Sequence, residues 1–136
     1  MADSFQLEVA TPERLLLQEE VREAQIPAEG GMIGVLPEHA ALLSLLGTGE
    51  LSYNSTNGRR HVLVVSGGWM QVLNNHVRVL ADRAELPADI DVSRAEAALK
   101  RAQERLAQPA TAGVDIARAL NAMRRAEARL AAAKAR

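Results

Sequence analysis

Four arginines are the residues best placed to do chemistry in this chain, and the chemistry would be anion binding. Arg94 and Arg101 stand seven residues apart and Arg125 and Arg129 four apart, so each pair would share one face of a helix. A guanidinium stays charged at neutral pH and donates in a planar fork that suits phosphate oxygens. Spacing alone leaves two readings open: an anion site built between facing helices, or a solvated basic face, the commoner fate of charged runs. Bond-making chemistry has less support. His39, His61 and His76 are scattered, with no His-Glu-x-x-His and no spaced carboxylate cluster, so no metal site is expected. Ser66-Gly67-Gly68 lacks the Gly-x-Ser-x-Gly of a nucleophile elbow. A P-loop is excluded, because Gly-x4-Gly-Lys-Ser/Thr is absent and the only lysines are Lys100 and Lys134. With no cysteine, disulfides, thiolate nucleophiles and zinc-thiolate sites fall away.

The elements that must position these arginines come in two blocks. Through Asp91 the chain carries six basic and thirteen acidic residues, and from Val92 onward ten basic and four acidic. An acidic body therefore precedes a tail with a surplus of six positive charges, which implies that one module presents a field to a ligand, a partner or the other module. A net charge of −1, with Phe5, Tyr53 and Trp69 the only aromatic rings for stacking, argues against nucleic acid as a partner. The start MADSFQLEVA shows no signal-peptide core, and the apolar stretch Ala40 to Leu46 is far short of the roughly 20 residues of a membrane span. Membrane association is expected only through partners.

Residues 1–86 read as strands. Phe5, Leu7 and Val9 alternate with polar or small residues, as Val77 and Val79 do around Arg78, which is the period of a half-buried strand. Asn57-Gly58 lies between Leu51-Ser52-Tyr53 and the apolar run Val62 to Val65, and Asn74-Asn75 separates Met70 to Leu73 from His76 to Val79, so two hairpins are expected. Short strands with no intervening helical pattern predict an antiparallel β-sandwich.

Residues 87–136 read as an antiparallel two-helix hairpin, making the whole an α+β chain. Pro87 ends the last strand, and Asp91 or Ser93 supplies a helix cap. Ala95, Leu99, Ala102 and Leu106 recur at helical spacing, Pro109 and Gly113 interrupt, and Asp115 caps a second run of Ile116, Leu120, Met123 and Leu130. Each helix is expected to run about 16 to 20 residues. The large apolar residues of this seam are few, so the hairpin should lean on the body, a ligand or another protein for its folded form, and other packings should lie close in energy.

Two stretches carry a resemblance. Ile26-Pro27-Ala28-Glu29-Gly30-Gly31-Met32-Ile33-Gly34-Val35-Leu36-Pro37-Glu38-His39-Ala40-Ala41-Leu42-Leu43, with Gly49 following, resembles the signature of the epsilon subunit of bacterial F-type ATP synthases, and Ser66-Gly67-Gly68-Trp69-Met70-Gln71-Val72 resembles the second signature of that family. Trp69 stands where phenylalanine is more usual, a difference expected to alter packing only. The resemblance covers the whole chain. It implies a non-catalytic part of the rotating central stalk, bound to the gamma subunit and the ring of c subunits, peripheral to the cytoplasmic face of the bacterial plasma membrane. It also implies a tail that either lies on the sandwich or extends to the alpha/beta catalytic subunits and restrains ATP hydrolysis. No cofactor is required, but ATP is implied as a regulatory ligand: Ile90-Asp91-Val92-Ser93-Arg94-Ala95 is similar to the Ile/Leu-Asp-x-x-Arg-Ala motif of ATP-binding members. By that resemblance Glu85, Ile90, Asp91, Arg94, Arg101, Arg125 and Arg129 form the nucleotide site. A purely structural coupling subunit and a free-standing nucleotide-binding protein are the rival readings.

Overall fold

The computed structural model describes residues 2–109 and 112–134. Seven strands come first: β1 (Phe5–Ala10), β2 (Leu15–Ala28), β3 (Gly31–Val35), β4 (Leu42–Leu45), β5 (Thr48–Ser55), β6 (Arg60–Leu73) and β7 (His76–Glu85). A 3-10 turn (Pro87–Asp89) leads into helices α1 (Val92–Leu106) and α2 (Ile116–Ala133). The order β1-β7-β6-β5-β2 closes on itself because β1 also pairs with β2. The closed ring is flattened into a sandwich around Phe5, Leu7, Ile26, Leu51, Leu63, Met70 and Val77, all at most 1% exposed. The expected hairpins form: β5 and β6 are joined across Asn57-Gly58, and β6 and β7 across Asn74-Asn75, both with positive φ. Every named strand pair is antiparallel but one. β1 runs parallel to β7, Leu7 beside Val77 and Val9 beside Val79, because the chain's first strand fills the gap that closes the ring.

The two long strands give the sandwich its shape. β2 pairs with β1 along its first half and β3 along its second, on the same edge, with β5 on the other. A bulge between Val21 and Glu23 shifts the alternation by one, so that Val21, Ala24 and Ile26 all reach the core despite their spacing. β2 had no clean period-2 pattern for that reason. β6 bends at Gly68, where φ is +106° and an added Cβ would lie 2.0 Å from the Leu80 carbonyl oxygen, so only glycine fits.

β6 is also covered on both sides, and this docks the tail. Leu63 and Val65 face the sandwich core, while Val62 and Val64 face a second cluster with Ile90, Ala128 and Ala132. The four consecutive apolar residues thus mark a strand buried on two faces rather than a strand with one wet face. α2 lies against β5, β6 and the 3-10 turn, and α1 packs on α2. Asp91 caps α1, its Oδ1 accepting from the Arg94 amide at 3.0 Å, and Asp115 caps α2 in the same way through Arg118. The helices are 15 and 18 residues long, the first slightly short of expectation.

The seam differs from the expected one. The buried hairpin positions are Ala95 and Ala102 on α1 and Ala119, Ala126, Ala128 and Ala132 on α2, whereas Leu99, Leu106, Leu120, Met123 and Leu130 are only half-buried and Ile116 is 56% exposed. Alanine lets two helices approach closely, which pushes the larger side chains to the flanks of the contact. The hairpin therefore buries less apolar surface per residue than a leucine seam would.

Candidate functional site

The site forms where the tail leaves the sandwich. Strand β7 ends at Glu85, Pro87 starts the 3-10 turn, and Ile90 follows in extended conformation with its side chain 3% exposed among Val62, Val64, Ala128 and Ala132. This plug fixes the first turn of α1, and the Asp91 cap aligns Arg94 beside it. From the other helix Arg129 reaches back to β7: its Nε donates to Glu85 Oε1 at 2.6 Å and its Nη2 lies 2.5 Å from the same oxygen. The charge-assisted pair ties α2 to the sheet across 44 residues of chain.

Between these elements lies a cleft of about 280 Å³, lined by Arg83, Glu85, Asp89, Asp91, Arg94, Ala95 and Arg129. Of the residues that the motif resemblance nominates, Glu85, Asp91, Arg94 and Arg129 converge here. Ile90 supplies a buried foundation rather than an exposed contact. Arg101 is exposed on α1 and is not among the lining residues. Arg125 is half-buried one turn before Arg129 and lines a separate polar groove of about 740 Å³, with Gly30, Gly31, Thr48, Ser66 and Asn121 among its walls. Thr48 and Ser66 hydroxyls meet there at 2.9 Å.

The charges are unevenly satisfied. Glu85 is taken by Arg129, Asp89 lies 3.8 Å from Arg14, and the Asp91 carboxylate is turned to the α1 backbone. Among the described residues Arg83, Arg94 and Arg125 form no ion pair with a carboxylate. Burial, then the neighbouring Arg83, Arg129 and Arg118, push the Arg125 guanidinium below its ordinary pKa. Such a junction suits an anion with several oxygens, which would bridge β7, α1 and α2 at once.

Sequence reasoning missed Arg83 and Asp89. Arg83 shares no helical spacing with the other arginines because it sits on a strand. The available signal was period 2, which sets Arg83 on the same face of β7 as Glu85. Among the described residues no group of histidine, aspartate and glutamate is arranged to hold a metal, and no helix is long and apolar enough to cross a membrane.

Comparison with known proteins gives concordant matches for both halves. The family model for the ATP synthase Delta/Epsilon chain beta-sandwich domain matches residues 4–87, and that for the Delta/Epsilon chain long alpha-helix domain matches residues 88–134. An ATP synthase epsilon chain from Solibacter usitatus is 56% identical over 110 residues, covering 81% of this chain and 81% of its own. One from Koribacter versatilis is 44% identical over 106 residues, covering 78% of this chain and 74% of its own. Among solved structures, a chain in the cryo-EM structure of the Euglena gracilis mitochondrial ATP synthase, OSCP/F1/c-ring in rotational state 1, superposes with a TM-score of 0.83 at 25% identity, covering 98% of this chain and 83% of that one.

Proposed function

We propose that this chain, which belongs to the ATP synthase delta/epsilon family as an epsilon subunit of the central stalk, makes no bonds itself but couples the catalytic head to the c-ring and senses ATP through its helical hairpin. The observation that carries the sensing role is the position of the cleft. Its arginines come from three different elements, Arg83 on β7, Arg94 on α1 and Arg129 on α2. Any ligand that contacts all three favours the folded hairpin over a released one by its difference in affinity for the two states.

ATP suits the cleft because its phosphates match the guanidinium forks and Glu85 offers an acceptor to a purine amino group. ATP in the cleft therefore holds the tail on the sandwich. When ATP falls, the tail is released, and its surplus of positive charge is drawn to acidic loops of the alpha and beta subunits, where it restrains hydrolysis.

The rotor role needs a docking face, and the outer side of β4-β6-β7 offers one. Leu45, Trp69 and Leu80 are cross-strand neighbours, flanked by Leu43 and Leu73, and each is between 42% and 66% exposed. An apolar row of this size on one face suits a permanent partner, and we assign it to the gamma subunit. The unusual tryptophan thus bears on a contact surface rather than on core packing. Association with the cytoplasmic side of the membrane follows through these partners.

Calorimetric titration of the purified chain with ATP tests the sensor. Saturable binding at or below millimolar ATP is expected, weakened about tenfold or more in Arg94→Ala and in Arg129→Ala, as loss of a charged hydrogen bond entails. Absence of saturable binding, or equal binding by both variants, removes the sensing role.

A further inference from the structure

Arg83 belongs to no motif that marks the cleft, yet it stands on its wall. Facing it across the sheet–helix junction, α2 presents Arg129 and, one turn earlier, Arg125. Glu85 satisfies Arg129, but among the described residues no carboxylate lies within ion-pair reach of Arg83 or Arg125. The charged groups that act on half-buried Arg125 are Arg83, Arg129 and Arg118, every one a cation. Glu85, Asp89 and Asp91 line the same cleft but are engaged by Arg129, Arg14 and the α1 backbone, so the repulsion between Arg83 and Arg125 goes unanswered and favours separation unless something negative lies between them.

We propose that Arg83 is the sandwich-side arm of the cleft: with the cleft empty it repels α2 through Arg125, against the hold of the Glu85–Arg129 pair, and a phosphate-bearing polyanion lodged between Arg83 and α2 turns that repulsion into a bridge. The arm makes the posture of the hairpin sensitive to ligand charge as well as ligand shape. A ligand with more phosphate oxygens spans Arg83, Arg94 and Arg129 together, whereas one with fewer leaves an arginine unanswered. The nature of the polyanion rests on the ATP reading given above, but the repulsion in the empty cleft does not.

Hydrogen–deuterium exchange of the full chain at low ionic strength, read at the amides of residues 116–133, separates the two. Without ligand, Arg83→Gln is expected to raise α2 protection about two- to five-fold, the range for a partly exposed charge pair, while Arg83→Lys leaves it unchanged. Inorganic triphosphate and ATP each protect α2 in the wild-type chain, and the gain shrinks in Arg83→Gln. Protection by triphosphate but not by ATP supports the arm and removes the nucleotide reading. Unchanged or weaker protection in ligand-free Arg83→Gln overturns the proposal whatever ATP does, and so does an equal rise in Arg83→Lys.

Discussion

Arg129 shows how one side chain joins two modules. Its pairing with Glu85 holds α2 to the sheet in the ligand-free state, so a ligand that binds Arg129 must either share or replace that carboxylate. Glu85, Asp91, Arg94 and Arg129 were legible in the sequence through a motif resemblance, and geometry brings them together. Arg83 was not, because a strand residue shows no helical spacing. Within the sandwich, Tyr53 offers an independent check of the core. Burial first, then the charge of Glu19 and a 3.4 Å hydrogen bond donated to its carboxylate, push the Tyr53 hydroxyl up to about 12. The folded state therefore holds the proton more tightly than the unfolded chain, whose tyrosine titrates near 10. The resulting stabilisation is complete below pH about 10 and is lost as pH rises through about 12. Tyr53 is the sole tyrosine, so absorbance of tyrosinate follows it without ambiguity. A midpoint clearly above 10 is expected, moving down toward 10 in Glu19→Gln.

Among the elements, β6 carries the most information. Turn residues at Asn57-Gly58 and Asn74-Asn75 marked its hairpins, and its run Val62 to Val65 already held the sign of a second covered face. The seam between the helices was less legible, since sequence patterns weight leucine and isoleucine while close helix packing selects alanine. Ala132 tests the consequence. It is fully buried beside Val62 and Val64, so Ala132→Glu would place a carboxylate among apolar side chains, at a cost of several kcal/mol unless the helix moves away. The expected outcome is loss of exchange protection throughout α2 with the thermal transition of the sandwich retained. Cooperative unfolding of both modules together would contradict the light docking described above. The long strand β2 shows the converse limit: one bulged residue breaks the alternation, and local patterning then conceals a strand of 14 residues.

At the scale of the whole molecule, two surfaces have separate duties. The outer face of β4-β6-β7 exposes apolar side chains, proposed above as the docking face for a permanent partner, and the junction of β7 with the hairpin carries the arginines proposed to take an exchangeable ligand. Trp69→Glu is expected to weaken binding to the gamma subunit by more than about 2 kcal/mol, as for a central aromatic anchor, while leaving ATP binding by the isolated chain intact. Pull-down and calorimetry on the same variant check both halves of that statement. The acidic body and basic tail fit the proposed division, in which a tail with surplus positive charge would be held by an anion on one side and drawn to acidic partners on the other. In the proposed scheme, ligand occupancy sets the posture of the hairpin. Since the chain has no cysteine, spin labels at Thr56→Cys on the β5–β6 turn and Glu127→Cys on α2 report that posture by pulsed electron–electron resonance in the assembled complex. A single short distance with saturating ATP, joined by a longer population when ATP is removed or Arg94→Ala is introduced, is the predicted result; one distribution unchanged by either would contradict it.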